Sequence, residues 1–121
     1  MTLTGSQRLP KTARLRKRRE FQKLSQAGAK LQSTNFVVIS GGNGGQECRL
    51  GITVSGKVGN SVTRNRIKRQ VREFFRRRRA DWQPGTDFLV IARKSAADLD
   101  GRAVASELVR AFADRSPRRA S

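Results

Sequence analysis

Apolar positions in this chain fall into a few clusters, each with the spacing of one element. Phe21 and Leu24 lie three apart on one helical face and Gly28 supplies a C-terminal stop, predicting a first helix over about Arg18–Ala27. Asn35-Phe36-Val37-Val38-Ile39-Ser40 is rich in β-branched residues and reads as a strand. Gly41-Gly42-Asn43-Gly44-Gly45 then reads as a hairpin turn into a return strand over Arg49–Ser55. In that strand Leu50, Ile52 and Val54 point one way, and Gly51, Thr53 and Ser55 the other. One face serves the core. The small polar face leaves room for a ligand against the sheet.

The strongest helical pattern runs from Ser61 to Arg79, with Asn60 or Ser61 as its cap. With Ile67 at zero and about 100° per residue, Val71 falls near 40°, Phe74 near −20° and Phe75 near 80°. Arg72, Asn65, Arg76 and Arg69 fall at about 140°, 160°, 180° and 200°, so one face is buried and the other carries a guanidinium row. Asp81, Pro84 and Gly85 break the helix, and Trp82 reads as a cap on the edge of the core. Phe88-Leu89-Val90-Ile91-Ala92 is apolar on both faces and predicts a covered strand. Asp98 or Asp100 caps a last helix, in which Val104, Leu108 and Phe112 share a face. The order α-β-β-α-β-α, with a further short strand unresolved, predicts an α+β fold: a single-domain α/β sandwich on one mostly antiparallel sheet. The domain spans residues 13–114, between a loose arm (1–12) and a disordered basic tail (115–121) that carries Arg115, Pro117, Arg118 and Arg119.

Charge changes this picture most. Twenty-seven Lys and Arg face nine acids, a net charge of +18 on 121 residues. A compact domain so charged repels itself, and an extended polyanion is the partner that relieves the repulsion. No transmembrane run, lipidation motif or export signal is visible, so no membrane partner is expected and the cytoplasm is the expected location. Cys48 is the only cysteine and histidine is absent, which excludes an intramolecular disulfide and makes a protein-held zinc site implausible. The acids are scattered, so the chain offers no carboxylate cluster for a self-sufficient nuclease and no catalytic residue of its own.

The candidate chemistry lies where the long helix begins. Between Arg64 and Arg79 stand nine basic residues and one acid, Glu73. So dense a like-charged run weakens an isolated helix, which favours binding over a merely solvated face. Arg64, Arg66, Lys68, Arg69, Arg72 and Arg76, with Lys57 just upstream, offer forked or point-charge grips on phosphate. Asn65 offers an amide for a base edge or a 2′-hydroxyl. Phe21 is open between stacking on an unpaired base and packing in the core, and Phe36's neighbours Val37 and Ile39 read as core.

The block Lys57-Val58-Gly59-Asn60-Ser61-Val62-Thr63-Arg64-Asn65-Arg66-Ile67-Lys68-Arg69 resembles the signature of the bacterial ribonuclease P protein family. Leu15–Gly28 resembles the family's N-terminal helix, Arg49–Ser55 the strand before the signature, and Asp87–Lys94 a strand ending in Ala-Arg-Lys. The resemblance implies a fold of the ribosomal protein S5 domain 2-like class, with a left-handed βαβ crossover, an exception to the usual hand. It also implies a partner, the catalytic RNA subunit, which with magnesium removes the 5′ leader from precursor tRNA; no cofactor on the protein and no obligate protein partner are implied. Carried onto this chain, Arg18, Phe21, Phe36, Thr53 and Ser55 form a leader cleft, and Arg64, Asn65, Arg66, Lys68, Arg69 and Arg72 hold the RNA subunit. Ser25 and Ile39 stand where family members can carry an aromatic, and Gly56 replaces a residue that is often basic. A structural ribosomal protein would share the charge and size but has no general reason to carry this block.

Overall fold

The computed structural model describes residues 14, 15, 17–45, 47–78 and 85–115. The expected N-terminal arm, the break at Asp81 and Pro84, the Trp82 cap and the tail beyond 115 lie outside the described residues. Eight elements follow in order: α1 (Arg18–Ala27), β1 (Ala29–Gln32), β2 (Phe36–Gly42), β3 (Arg49–Thr53), α2 (Ser61–Arg78), β4 (Thr86–Ala92), a 3-10 helix (Lys94–Asp98) and α3 (Gly101–Arg115). Arg115, assigned from sequence to the tail, is the last residue of α3.

The strands form one sheet in the order β1-β2-β4-β3. β1 pairs with β2 and β2 with β4 antiparallel, while β3 runs parallel to β4. This corrects the expected hairpin. β2 and β3 are not neighbours, because β4 enters between them, and Gly41 and Gly42 belong to β2 rather than to a turn. The loop instead crosses the start of β4: the Asn43 N–H donates to Gly85 O at 2.7 Å, and Asn43 Nδ2 donates to Asp87 Oδ1 at 2.7 Å. Gly85 has φ +82°, and a β-carbon there would stand 2.6 Å from Gly45 O, so glycine is required where the loop crosses. β1 is the strand that the sequence did not resolve. It is a short edge strand with mostly exposed side chains, so it lacks an apolar signal.

β4 is the apolar strand predicted to be covered on both faces, and it lies mid-sheet with α2 and α3 on one side and α1 on the other. Period-two alternation divides the core. Phe36, Val38, Leu50, Phe88 and Val90 join Ile67, Val71, Phe75, Val104, Leu108 and Phe112 in the larger cluster. Ile39 and Leu89 meet Leu15 and Leu24 in the smaller one, with Phe21, Val37 and Ile91 packed against it. The larger cluster holds an aromatic stack: Phe88 lies 4.8 Å from Phe112, and Phe74 meets Phe112 edge-on at 5.2 Å. Asn60 Oδ1 caps α2 by accepting the Thr63 N–H at 2.9 Å, and Asp100 Oδ1 caps α3 by accepting the Ala103 N–H at 2.8 Å.

Candidate nucleic-acid interface

The interface begins at the free edge of β3. Residues 14 and 15 lie along it, with Arg14 bridged to Leu50 in parallel and the Leu15 N–H donating to Leu50 O at 2.9 Å. Leu15 then seats in the smaller core, which leads the chain into α1 across the sheet. The Phe21 ring lies over Gly51, where a β-carbon would stand 2.6 Å from its Cε1. Beside that contact opens a groove of about 800 Å³, lined by Arg18, Phe21, Gln22, Ser25 and Gln26 of α1 and by Ile52 and Thr53 of β3.

Of the five residues expected in a cleft, Arg18, Phe21 and Thr53 therefore meet. Phe21 packs against the smaller core and also lines the groove. Ser55 is exposed just past β3, and its hydroxyl accepts the Lys57 N–H at 3.3 Å, which closes the turn that presents Lys57. Phe36 is a correction. It is 0% exposed in the larger core, because odd and even positions of β2 face opposite sides and Phe36 points away from α1. Ile39 does point toward α1, but it is buried there beneath Leu24 and Gly28 rather than lining the groove. Gln22 and Gln26 were missed. Their spacing from Arg18, at i+4 and i+8, puts them on one helical face and could have revealed them.

α2 presents the second part of the site. Ile67, Val71, Phe74 and Phe75 are buried as the wheel predicted, and Asn65, Arg69 and Arg72 are exposed opposite them. The signature arginines divide their work. Arg64 Nε donates to Gly59 O at 3.2 Å, holding the loop before the helix, and Arg66 Nη2 donates to Ala97 O at 2.6 Å, tying α2 to the 3-10 helix. Arg76 is engaged by Glu73 at 2.6 Å, and Arg77 shares that carboxylate at 2.7 Å. Lys68 is half-buried and Lys57 exposed.

Among the described residues no carboxylate pairs with Arg14, Arg69 or Arg72. Burial, and then the charges of Arg14 and Arg69, pull Arg72 below the ordinary arginine range. Arg14 and Arg69 thus both lie near enough to Arg72 for their charges to act on it, with no carboxylate paired to any of the three among the described residues, an arrangement that an anion stabilises. Arg14 is absent from the residues singled out in the sequence, because its place at the β3 edge is set by a tertiary neighbour.

The acids near the groove are occupied. Arg49 donates to both oxygens of Asp87, at 2.9 and 2.8 Å, and to Glu20 at 3.0 Å. Burial pushes Glu20 up, but the bonds and charges of Arg49 and then Lys17 together more than offset this and hold it below the usual carboxylate range. Among the described residues no cluster of three or more Asp, Glu, Cys or His could hold a metal ion, and no helix is long and apolar enough to cross a membrane.

The family model described as Ribonuclease P matches residues 9–115. The chain is 46% identical over 108 residues to the ribonuclease P protein component of Desulforapulum autotrophicum, covering 89% of this chain and 92% of that protein. It is 40% identical over 107 residues to the same component of Citrifermentans bemidjiense, covering 88% and 91%. Among solved structures it resembles the Staphylococcus aureus RNase P protein, with a TM-score of 0.80 at 34% identity over 84% of this chain and 94% of that one. It resembles the Thermotoga maritima RNase P protein with a TM-score of 0.74 at 39% identity, covering 81% and 93%.

Proposed function

This chain belongs to the bacterial ribonuclease P protein family, and from that premise we propose that it serves its catalytic RNA through two joined surfaces, one for each RNA. It is the RNA-binding protein component of the enzyme, and the RNA subunit is its partner. In this reading the row Asn65, Arg69 and Arg72, flanked by Lys57 and Lys68, grips the RNA subunit. Arg64 and Arg66 spend part of their hydrogen bonding on the fold and thereby hold that row in position. Arg76 joins the row through an exchange in which phosphate takes the place of Glu73.

The groove between α1 and β3 receives the single-stranded 5′ leader of precursor tRNA. Phe21 offers a ring edge and Arg18 a cation, while Gln22, Gln26 and Thr53 offer polar contacts to bases and sugars. Ser25 brings a hydroxyl where a stacking ring could stand, so the groove depends more on polar contact and charge. The observation that carries the proposal is the position of Arg14, joined through Leu50 to the edge of β3 and near enough to Arg72 for its charge to act on that guanidinium. It links the helix face to the groove strand in one basic surface.

Magnesium is assigned to the RNA. Among the described residues four carboxylates are already engaged: Glu20 and Asp87 by Arg49, Glu73 by Arg76 and Arg77, and Glu107 by Ser33 and Asn35. The chain's contribution is to bind and orient the substrate and to neutralise phosphate charge that the RNA would otherwise need more metal to screen.

The test is cleavage of a 5′-extended precursor tRNA at low magnesium by the cognate catalytic RNA, with and without this protein, plus a protein-only arm. Efficient cleavage by the mixture alone is the expected result. Cleavage by the protein alone would overturn the accessory role, and no effect on the RNA would favour a structural ribosomal role.

A further inference from the structure

A second recess, of about 460 Å³, lies between α2 and α3. Stepping around α2 at about 100° per residue, Glu73, Arg77, Gln70 and Phe74 follow Arg69 on the side away from Arg72. Arg69 therefore belongs both to the RNA-facing row and to the rim of this recess, which lies on the opposite flank from the leader groove. The recess deepens the RNA-binding reading given above and rests on it.

Its construction suits a flat, partly polar ligand. Phe74 and Ala105 supply apolar lining, and Gly101 opens the mouth: the nearest atoms to a β-carbon there belong to Gln70, at 3.5–4.0 Å. Gln70 Oε1 is buried with no hydrogen-bond partner among the described residues, an uncommon state for a side-chain acceptor. The end of a glutamine side chain rotates broadly, so the carboxamide can turn toward the recess without breaking a bond at that oxygen. At the rim the Arg78 guanidinium carbon sits 5.3 Å from the Phe74 ring centroid, which holds it in place by cation–π attraction. A guanidinium so fixed is a platform on which bases stack. Arg69 and Arg77 complete the border, where Glu73 also stands with its carboxylate 2.7 Å from Arg77 Nε, leaving the border net cationic.

We propose that this recess accepts one unpaired nucleobase of the RNA subunit. The base edge pairs with the Gln70 carboxamide, its face rests on Arg78, and its flanking phosphates meet Arg69 and Arg77. The chemistry selects a base rather than a bare anion, because the buried group is an amide beside apolar lining and the charges stand at the border.

The experiment follows the Gln70 side-chain amide and the Ala105 methyl by NMR while the full chain is titrated with AMP or, separately, with ribose 5-phosphate. AMP should shift both signals and ribose 5-phosphate neither, and Gly101→Val should weaken the AMP response at least tenfold by filling the mouth. Gln70→Leu, which keeps bulk but removes the amide, serves as the second variant and should weaken AMP to a similar degree. Equal responses to the two probes would mean phosphate contact at the rim only, and a silent Gln70 and Ala105 with AMP would mean an ordinary hydrated crevice; either overturns the proposal. Affinity of Arg72→Ala for the catalytic RNA is measured in parallel. If it falls while AMP stays silent, the recess fails alone; if it is unchanged, the underlying RNA-face reading fails.

Discussion

Phe21 sits on Gly51 so closely that the strand has no room for a single added carbon, since a β-carbon on Gly51 would lie 2.6 Å from Cε1 and 2.9 Å from Cζ of the ring. The groove wall exists because residue 51 has no side chain. Gly51→Ala should push α1 away from β3 and cost about 1–3 kcal/mol of stability, the usual penalty of overpacking. Urea denaturation would measure that cost. Reconstituted holoenzyme should also lose the affinity difference between precursor tRNA with a leader and tRNA without one; an unchanged difference would argue against a leader in this groove.

Arginines of the signature helix should separate into two classes. Arg69→Ala and Arg72→Ala remove exposed charges and should each lower the salt slope of RNA-subunit binding by about 1, with little change in stability. Arg66→Ala removes the bond to Ala97 O and should cost about 1–3 kcal/mol of stability, with a smaller change in salt slope. Equal slopes for all three would refute the division.

Phe36 and Phe21 make a similar contrast. Phe36→Ala should destabilise the domain by about 3–5 kcal/mol through a core cavity. Phe36→Leu should fold, with leader-dependent affinity unchanged. Phe21→Ala should retain more stability and lose leader affinity. A leader-specific defect in Phe36→Leu would restore Phe36 to the cleft.

Glu107 fastens α3 to the β1–β2 turn. Its carboxylate accepts the Ser33 hydroxyl, the Asn35 N–H at 2.7 Å and the Asn35 side-chain amide at 2.6 Å. Burial pushes this carboxyl up, but those bonds prevail and hold it below the usual carboxylate range. A carboxyl depressed in the folded state adds stability that is present above its unfolded pKa and lost as pH falls through the folded value. The wild type should therefore lose stability below about pH 4. Glu107→Gln should be less stable at neutral pH, by about 1–3 kcal/mol, and should flatten that acid limb. Thermal melts from pH 3 to 7 decide the point.

Legibility followed how local the signal was. α1, α2, β4 and α3 were readable because each carries its own apolar period, and the exposed row Asn65, Arg69 and Arg72 came with the α2 wheel. β1 was not, because it buries almost nothing. The position of β3 was not readable either, since a glycine-rich turn between two strands looks the same whether they pair or another strand enters between them. Arg14 owes its role to the edge it lies against, and Gln70 to the helix across from it; both are properties of tertiary neighbours.

The crossing loop at Asn43–Gly45 has a consequence for how the molecule is made. The central strand of the sheet is the last to leave the ribosome, so β2 and β3 emerge with open edges and wait for Thr86–Ala92 before either gains its main partner. Most of the sheet's pairing is therefore long-range in sequence, a topology that folds slowly and leaves β-edges unguarded meanwhile. The cationic segments on either side of these strands repel other copies during that interval. The charge that later draws the chain to RNA thus first acts as its own protection against aggregation.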